Sequence, residues 1–402
     1  MDMSEQQQIP EASTKPRPAK ESQYKLISLS GGGYRAALFC AGVLRAFHFA
    51  QVFHYDSRTS NIVVNSVSGS ALPTVLWKRY LSSKLARNPQ DAWPEKALLD
   101  LVCSSPALGG RFNWMIRGFG LHARQRWEAF LRTWWEGLSL EHFSLGETLY
   151  PLFLVECLDF FSGELWVFNG KEFTRPSREF FKTGMEFGSF PVHAMTAVAA
   201  ATAFPGMFRG YRLNVGSWSY LFKDAGLIDN LGVLPLLTIL KKKRIDKTRL
   251  GNVASWFLAD AGKPMGVPEL SRPLTFRPTT RIKRLGILDR LFRLSGDLAQ
   301  PYLVSALTDV LEDYANVPSV AVWLDLIYEL EQPWMQPKCP RTWAPGLIPT
   351  ALRRMNRQNA VGLMALGAQS ASFAIAECGV FPNADRPSLN RTKLKDFFAA
   401  LL

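Results

Sequence analysis

Residues 24–50 read YKLISLSGGGYRAALFCAGVLRAFHFA, and residues 61–70 read NIVVNSVSGS. These two stretches decide the fold. In the first, Tyr24–Ser30 is a short apolar run fit for a buried strand. The triplet Gly31–Gly33 ends it, and the apolar chain from about Tyr34 to Ala50 is long enough for a helix. In the second, Ile62, Val63, Val64 and Val67 favour a strand over 61–67. Ser68-Gly69-Ser70 ends that strand, and a helix follows to about Tyr80. Strand, tight turn and helix, twice over, predict an α/β fold with a mainly parallel sheet.

The pattern continues along the chain. Residues 81–150 carry Trp93, Trp114, Trp127, Trp134 and Trp135 and read as a mostly helical insertion. Residues 152–160 and 164–169 flank Phe161-Ser162-Gly163 and predict a hairpin. The Ala-rich stretch 192–204 predicts a helix ending at Pro205-Gly206. Residues 211–223 read as strand-like, and 253–259 as another buried strand. After about residue 300 the patterns are helical, including roughly 349–377. The expected organisation is a leader over 1–22, an α/β core over 23–262, and a basic, mostly helical extension over 263–402 packed on that core.

Composition bounds the function. The chain has 402 residues, 47% hydrophobic and 20% charged, which fits a globular protein and not a disordered or multispanning one. Residues 1–22 are polar, with Pro10, Pro16 and Pro18 and no apolar segment, so they read as a disordered leader and not a signal peptide. The apolar stretches 36–50, 194–208 and 231–240 are short or interrupted, so no membrane span is expected. Cys40, Cys103, Cys157, Cys339 and Cys378 form no C-x-x-C pair, which suits a reducing compartment and gives no metal-binding spacing. The expected setting is the cytoplasm, with at most peripheral contact at the inner face of a membrane.

The formal net charge is +13, and it is concentrated. Residues 241–250, 251–271 and 272–293 contribute +5, −1 and +6, so +10 of the +13 lies between 241 and 293. Within this run, Ile282, Leu285, Leu288, Leu291 and Phe292 recur at helical spacing among Arg281, Lys283, Arg284, Arg290 and Arg293. A basic amphipathic helix suits an anionic membrane surface, with Arg281, Arg284 and Arg290 as contacts. The same pattern also serves a surface helix docked on a core. No nucleic-acid motif accompanies it, so no nucleic-acid partner is expected.

Three segments carry chemistry. Gly31–Gly33 between a strand and a helix lets backbone N–H groups approach an anion closely, as a phosphate cradle or an oxyanion hole; a plain tight turn uses the same residues. The segment lacks both the G-x-G-x-x-G and the Walker spacing. Ser66-Val67-Ser68-Gly69-Ser70 has the placement of a nucleophile elbow, with Ser where G-x-S-x-G has its two glycines. Lys223-Asp224-Ala225-Gly226 holds an Asp in a small-residue turn, fit for a general base or a backbone cap. Asp260, also before a Gly at a strand end, is a rival base.

Read together, SGGGYR, VSGS, ATAFPGMF and DAG, in that order over residues 24–262, resemble the patatin-like phospholipase family of lipid acyl hydrolases. The resemblance implies a three-layer α/β/α core and a Ser–Asp dyad working without His. It implies Ser68 as nucleophile, Asp224 as base and Gly31, Gly32 and Gly33 as the oxyanion hole. Arg35 matches the basic residue after the glycines, either as a brace for the loop or as a contact to a lipid phosphate. Ser66 and Ala225 stand where the family has Gly. The expected substrate is a membrane phospholipid or related acyl ester. A soluble ester or thioester, or a catalytically inactive relative that binds lipid or a partner, is the alternative. His48, His54, His122, His142 and His193 all precede the point where an α/β-hydrolase would place its His, and none is assigned a role. No metal and no cofactor is expected, since no H-E-x-x-H or Cys/His cluster is present.

Overall fold

The computed structural model describes residues 23–53, 60–82, 93–104, 123–137, 151–170, 172–174, 190–204, 210–215, 218–237, 253–261, 319–323, 354–377 and 391–402. Among them are ten strands: β1 (Gln23–Leu29), β2 (Ser60–Val67), β3 (Leu152–Asp159), β4 (Leu165–Phe168), β5 (Glu172–Thr174), β6 (Phe190–Pro191), β7 (Tyr211–Val215), β8 (Trp218–Asp224), β9 (Val253–Asp260) and β10 (Ser319–Trp323). They form one sheet in the order β10-β9-β1-β2-β3-β4-β5-β6, with β8 also on β3 and β7 on β8. The pairs from β10 to β3 are parallel; those from β3 onward are antiparallel. The expected mainly parallel α/β sheet is present.

Burial explains why these strands are apolar without clean alternation. Side chains alternate across a sheet. Ile27, Leu29, Val64, Val155, Phe257 and Val322 lie in the main core on one face, while Leu26, Val63, Leu154 and Trp256 are buried on the other. A parallel sheet covered on both faces is the middle of three layers.

Among the described residues the helices of eight residues or more are α1 (Gly33–Phe49), α2 (Ala71–Ser82), α3 (Pro94–Ser104), α4 (Ala123–Gly137), α5 (Ala194–Ala201), α6 (Arg357–Glu377) and α7 (Arg391–Ala400). Residues 33–47 of α1 are buried throughout, because α6 packs along it. That contact is backbone on backbone. A Cβ on Gly42 would stand 1.8 Å from the Met364 carbonyl oxygen, and one on Gly367 would stand 1.9 Å from that of Phe39. By length and composition α6 could cross a membrane, a property absent from the sequence reading; most of its residues are instead buried within the fold.

Arg45 of α1 pins the surrounding helices. It is 2% exposed, forms a two-pronged ion pair with buried Glu95 of α3, and lies over the rings of Trp77 and Phe397, on α2 and α7, at 4.8 and 4.5 Å. Helix α4 is tied down as well: its Trp127 donates Nε1–H to Thr202 Oγ1, just beyond α5, at 2.9 Å.

One local reading gains detail and one differs. Residues 211–224 are two antiparallel strands, β7 and β8. Residues 319–323 form strand β10 beside β9, within the region read as helical, because a five-residue SVAVW run is too short for its periodicity to stand out. The sheet therefore continues past residue 262. Leader residues 1–22, the basic run 241–250, and the stretch holding Arg281, Arg284 and Arg290 lie outside the described residues.

Candidate active site

The sheet brings the site together. β2 runs parallel to β3 and ends with Val67 opposite Glu156. β8 runs antiparallel along the same edge of β3 and ends with Asp224 opposite Cys157. Two strands therefore approach from opposite directions and stop at adjacent rows of β3. The residue after one and the last residue of the other meet: Ser68 Oγ donates to Asp224 Oδ2 at 2.6 Å, across 156 positions of sequence.

Ser68 sits in a strained turn. Its φ is +53°, in the left-handed region that non-glycine residues rarely occupy, at a cost of about 1–3 kcal/mol. Residues 68–70 form a single turn of 3₁₀ helix leading into α2. The Ser70 hydroxyl accepts from the Val67 N–H at 2.9 Å and lies 3.0 and 2.7 Å from the Leu29 and Val67 carbonyl oxygens, bracing the turn. Gly69 is required by contact, since a Cβ there would stand 1.9 Å from the Gly33 carbonyl oxygen. Ser66 lies in β2, where no positive φ is needed, and donates its hydroxyl to the Leu154 carbonyl at 2.8 Å. This explains how the elbow forms without the outer glycines.

Asp224 is held by both oxygens. Oδ2 takes the Ser68 hydroxyl and Oδ1 accepts from the Gly226 N–H at 2.9 Å. It is 2% exposed, and burial pushes its carboxyl up to about 6, against the two hydrogen bonds that favour the anion. Ser68, at 9%, just reaches the surface.

The glycine loop lies alongside. A Cβ on Gly31 would stand 3.2 Å from Ser68 Cβ. The Gly31 N–H donates to the Asn230 carbonyl at 2.8 Å, which sets it apart from Gly32 and Gly33, the other two glycines expected at an oxyanion hole. These have φ of +141° and +60° and their N–H groups carry no such bond to a described residue. Gly33 opens α1, whose first turn holds no acidic side chain, so the positive end of the helix lies beside Ser68. Ser30 fixes the loop to β9 through a bond from the Ala261 N–H to its Oγ at 2.7 Å.

Arg35 is 1% exposed and donates Nε–H to the Ala261 carbonyl at 3.0 Å. Of the two roles open to it, this geometry serves the brace and leaves no surface for a lipid phosphate. Asp260 ends β9, which lies across β1 from β2, opposite Trp323 of β10; the Ser68 hydroxyl goes to Asp224 instead. His48 is half-buried against Trp77 and Tyr80, and desolvation pushes its ring down to about 4. His193 caps α5 by accepting from the Met195 N–H. Cys40, Cys103 and Cys157 are free thiols.

Sequence reasoning gave no role to the polar residues behind the dyad. Asn65 donates to Glu156 Oε2 and to the Gly232 carbonyl, both at 2.9 Å. Asp229 accepts from the N–H groups of Gly232 and Leu234 at 2.8 and 2.6 Å and holds the loop that carries Asn230. Burial, with Asp229 and Asp224 nearby, pushes Glu156 well above the carboxylate range; burial pushes Asp229 up to about 6. The available signal was a polar residue inside each of two apolar strands, NIVVNSV and LFLVECLD. Among the described residues no three His, Cys, Asp or Glu side chains group in a way that would hold a metal ion.

No family model matches the sequence, and no curated protein matches it. Among the solved structures similar to the chain are two of human GIVD cytosolic phospholipase A2. One is in complex with methyl gamma-linolenyl fluorophosphonate, with TM-score 0.43 and 11% identity over 93% of this chain and 60% of that one. The other holds the same inhibitor and terbium chloride, with TM-score 0.42 and 13% identity over 91% of this chain and 60% of that one. The chain spans about 60% of the length of the proteins it matches.

Proposed function

We propose that the chain is a serine acyl hydrolase that cleaves ester bonds of phospholipids or related acyl lipids with a Ser68–Asp224 dyad. The observation that carries this reading is the 2.6 Å bond from Ser68 Oγ to a buried, elevated carboxylate, next to the Gly32 and Gly33 amides. Ser68 Oγ attacks the ester carbonyl while Asp224 accepts its proton. Charge develops on the carbonyl oxygen, where Gly32 and Gly33 N–H groups and the α1 N-terminus oppose it. Asp224 then returns the proton to the leaving alcohol, and the acyl group remains on Ser68. Water, losing a proton to Asp224, attacks the acyl carbonyl; the Ser68 Oγ–acyl bond breaks, the acid leaves, and Asp224 returns the proton to Ser68 Oγ.

A carboxylate near its ordinary value is a weak base at neutral pH. One raised to about 6 holds the proton better and is still mostly ionised at pH 7. The work expected of an imidazole in other triads is thereby within reach of a carboxylate. A positively charged membrane contact through Arg281, Arg284 and Arg290, at the inner face of a membrane, belongs to the same reading.

The test is labelling by a fluorophosphonate probe, paired with mass spectrometry of mixed phospholipid vesicles. Wild type labels and releases fatty acid and lysolipid; Ser68→Ala does neither. Absence of labelling in folded wild type overturns the reading in favour of a non-catalytic relative. Labelling with turnover of soluble esters alone moves the substrate away from lipid.

A further inference from the structure

Among the described residues the large apolar side chains left exposed are Phe160, Phe161 and the terminal Leu402. The two phenylalanines are 51% and 60% exposed and lie together at the tip of the β3–β4 hairpin. An adjacent exposed aromatic pair is costly in water unless it has a use.

The tip is built to hold those rings outward. Asp159, 2% exposed, accepts with Oδ1 from the N–H groups of Phe161 and Leu221 at 3.3 and 3.0 Å. Its Oδ2 accepts from the Ser162 N–H at 3.3 Å and from the Ser162 hydroxyl at 2.6 Å. The Phe160 N–H donates to the Leu221 carbonyl at 2.8 Å, and the Gly163 N–H to the Asp159 carbonyl at 2.8 Å. The turn is therefore ordered before it meets anything, so little entropy is lost on docking.

Its place in the sheet is equally specific. β3 runs parallel to β2 and continues past the row where β2 stops and Ser68 begins. Phe160 lies three residues beyond Cys157, the partner of Asp224, or about 10 Å further along the strand. The tip thus lies along β3 just beyond the row where Ser68 and Asp224 meet. Lys223, the residue before Asp224, stands over the Phe160 ring at 5.5 Å, adding a cation beside the apolar tip.

We propose that the Phe160–Phe161 tip is a membrane-interface anchor, seating in the boundary between headgroups and acyl chains of a phospholipid bilayer and setting the Ser68 edge against the lipid. Its purpose rests on the acyl-hydrolase reading. Two half-exposed rings offer roughly 200 Å², far short of the roughly 800 Å² per partner that a stable protein interface needs. An aromatic pair of that size with a neighbouring cation suits shallow interfacial insertion.

The test uses the full chain with Ser68→Ala, so that lipid is not consumed, and sedimentation with vesicles of phosphatidylcholine, with and without phosphatidylserine. Replacing both rings, Phe160→Ser with Phe161→Ser, lowers partitioning by about tenfold or more. Phe160→Leu with Phe161→Leu keeps it, and circular dichroism confirms that both variants fold. Unchanged partitioning of the serine variant overturns the anchor, as does a changed oligomeric state in that variant, which would make a second copy the occupant. Hydrolysis of a soluble ester is scored separately on chains with native Ser68. Ester cleavage with tip-independent vesicle binding sinks the anchor alone. Tip-dependent binding without any cleavage supports the anchor and sinks the hydrolase reading alone.

Discussion

Asp224 holds the Ser68 hydroxyl with one carboxylate oxygen and the Gly226 N–H with the other, so its plane is fixed from both ends. Asp224→Asn keeps the shape but removes the base. We expect kcat to fall on the order of 10³-fold or more, with fluorophosphonate labelling slowed in step, if the residue acts as the general base. Ser68→Ala and the double variant should be no worse than the more damaging single one, because the two groups act as a unit. Additive losses in initial rates would show independent roles.

The same substitution has a stability signature. The folded Asp224 carboxyl titrates at about 6 against an ordinary 3.8, so the folded state binds the proton more tightly than the unfolded one. This group's favourable contribution is present below 3.8 and is lost as pH rises through 6. At pH 8 the buried anion therefore costs up to about 3 kcal/mol, and Asp224→Asn should unfold at higher urea than wild type. The gain is reduced because Asn offers one acceptor where two are used. At pH 4 the difference should close. Urea melts at the two pH values decide it.

Activity should fall on the acid side of about pH 6, tenfold per pH unit, as Asp224 takes up its proton. Asp229 also titrates near 6, but it holds a loop and does not touch Ser68. Asp229→Asn should therefore leave the acid limb of kcat/KM in place, whereas moving the limb would assign it to Asp229.

The two turns that carry Ser68 and Asp224 were legible because each is a local pattern: a small-residue turn between a strand and its successor needs no distant partner to be recognised. Asp224 and Ser68 could be paired only through the resemblance, since nothing in their spacing records that β2 and β8 share one edge of β3. The bond made by Gly31 is hidden for a related reason. Its N–H is spent on Asn230, a contact set by tertiary packing and invisible in GGG. Sequence leaves Arg35 open between a loop brace and a phosphate contact, and its burial against Ala261 favours the brace. β10 was hidden because five residues show little period, and its strand character comes from an open edge on β9.

Glu156 and Asn65 test the support behind the dyad. Burial, with Asp229 and Asp224 nearby, raises the Glu156 carboxyl well above its ordinary value, which favours the neutral form. Glu156→Gln then changes little charge and keeps an acceptor for the Asn65 amide, so stability should move by less than about 1 kcal/mol. Glu156→Ala strips that buried acceptor and opens a cavity, costing about 2–4 kcal/mol. If Gln proves as damaging as Ala in urea unfolding, Glu156 is ionised in the folded protein.

The positive φ of Ser68 gives the sharpest test of the elbow, because it can be read without any substrate. At +53° a Cβ is strained, and only glycine adopts this backbone freely. Ser68→Ala and Ser68→Gly both remove the hydroxyl and its bond to Asp224, so both should be inactive and both leave the same carboxylate oxygen without its donor. They differ in the Cβ alone. Glycine elsewhere weakens a fold by its greater freedom when unfolded, by roughly 0.5–1 kcal/mol relative to alanine. Here the strain released at position 68 runs the other way and is about 1–3 kcal/mol. Ser68→Gly should therefore unfold at higher urea than Ser68→Ala, by about 1 kcal/mol. The usual order, with alanine the more stable, would mean that Ser68 relaxes to an ordinary backbone in solution. A relaxed elbow would also turn the hydroxyl away from Asp224, so the same pair of melts bears on the chemistry as directly as on the fold.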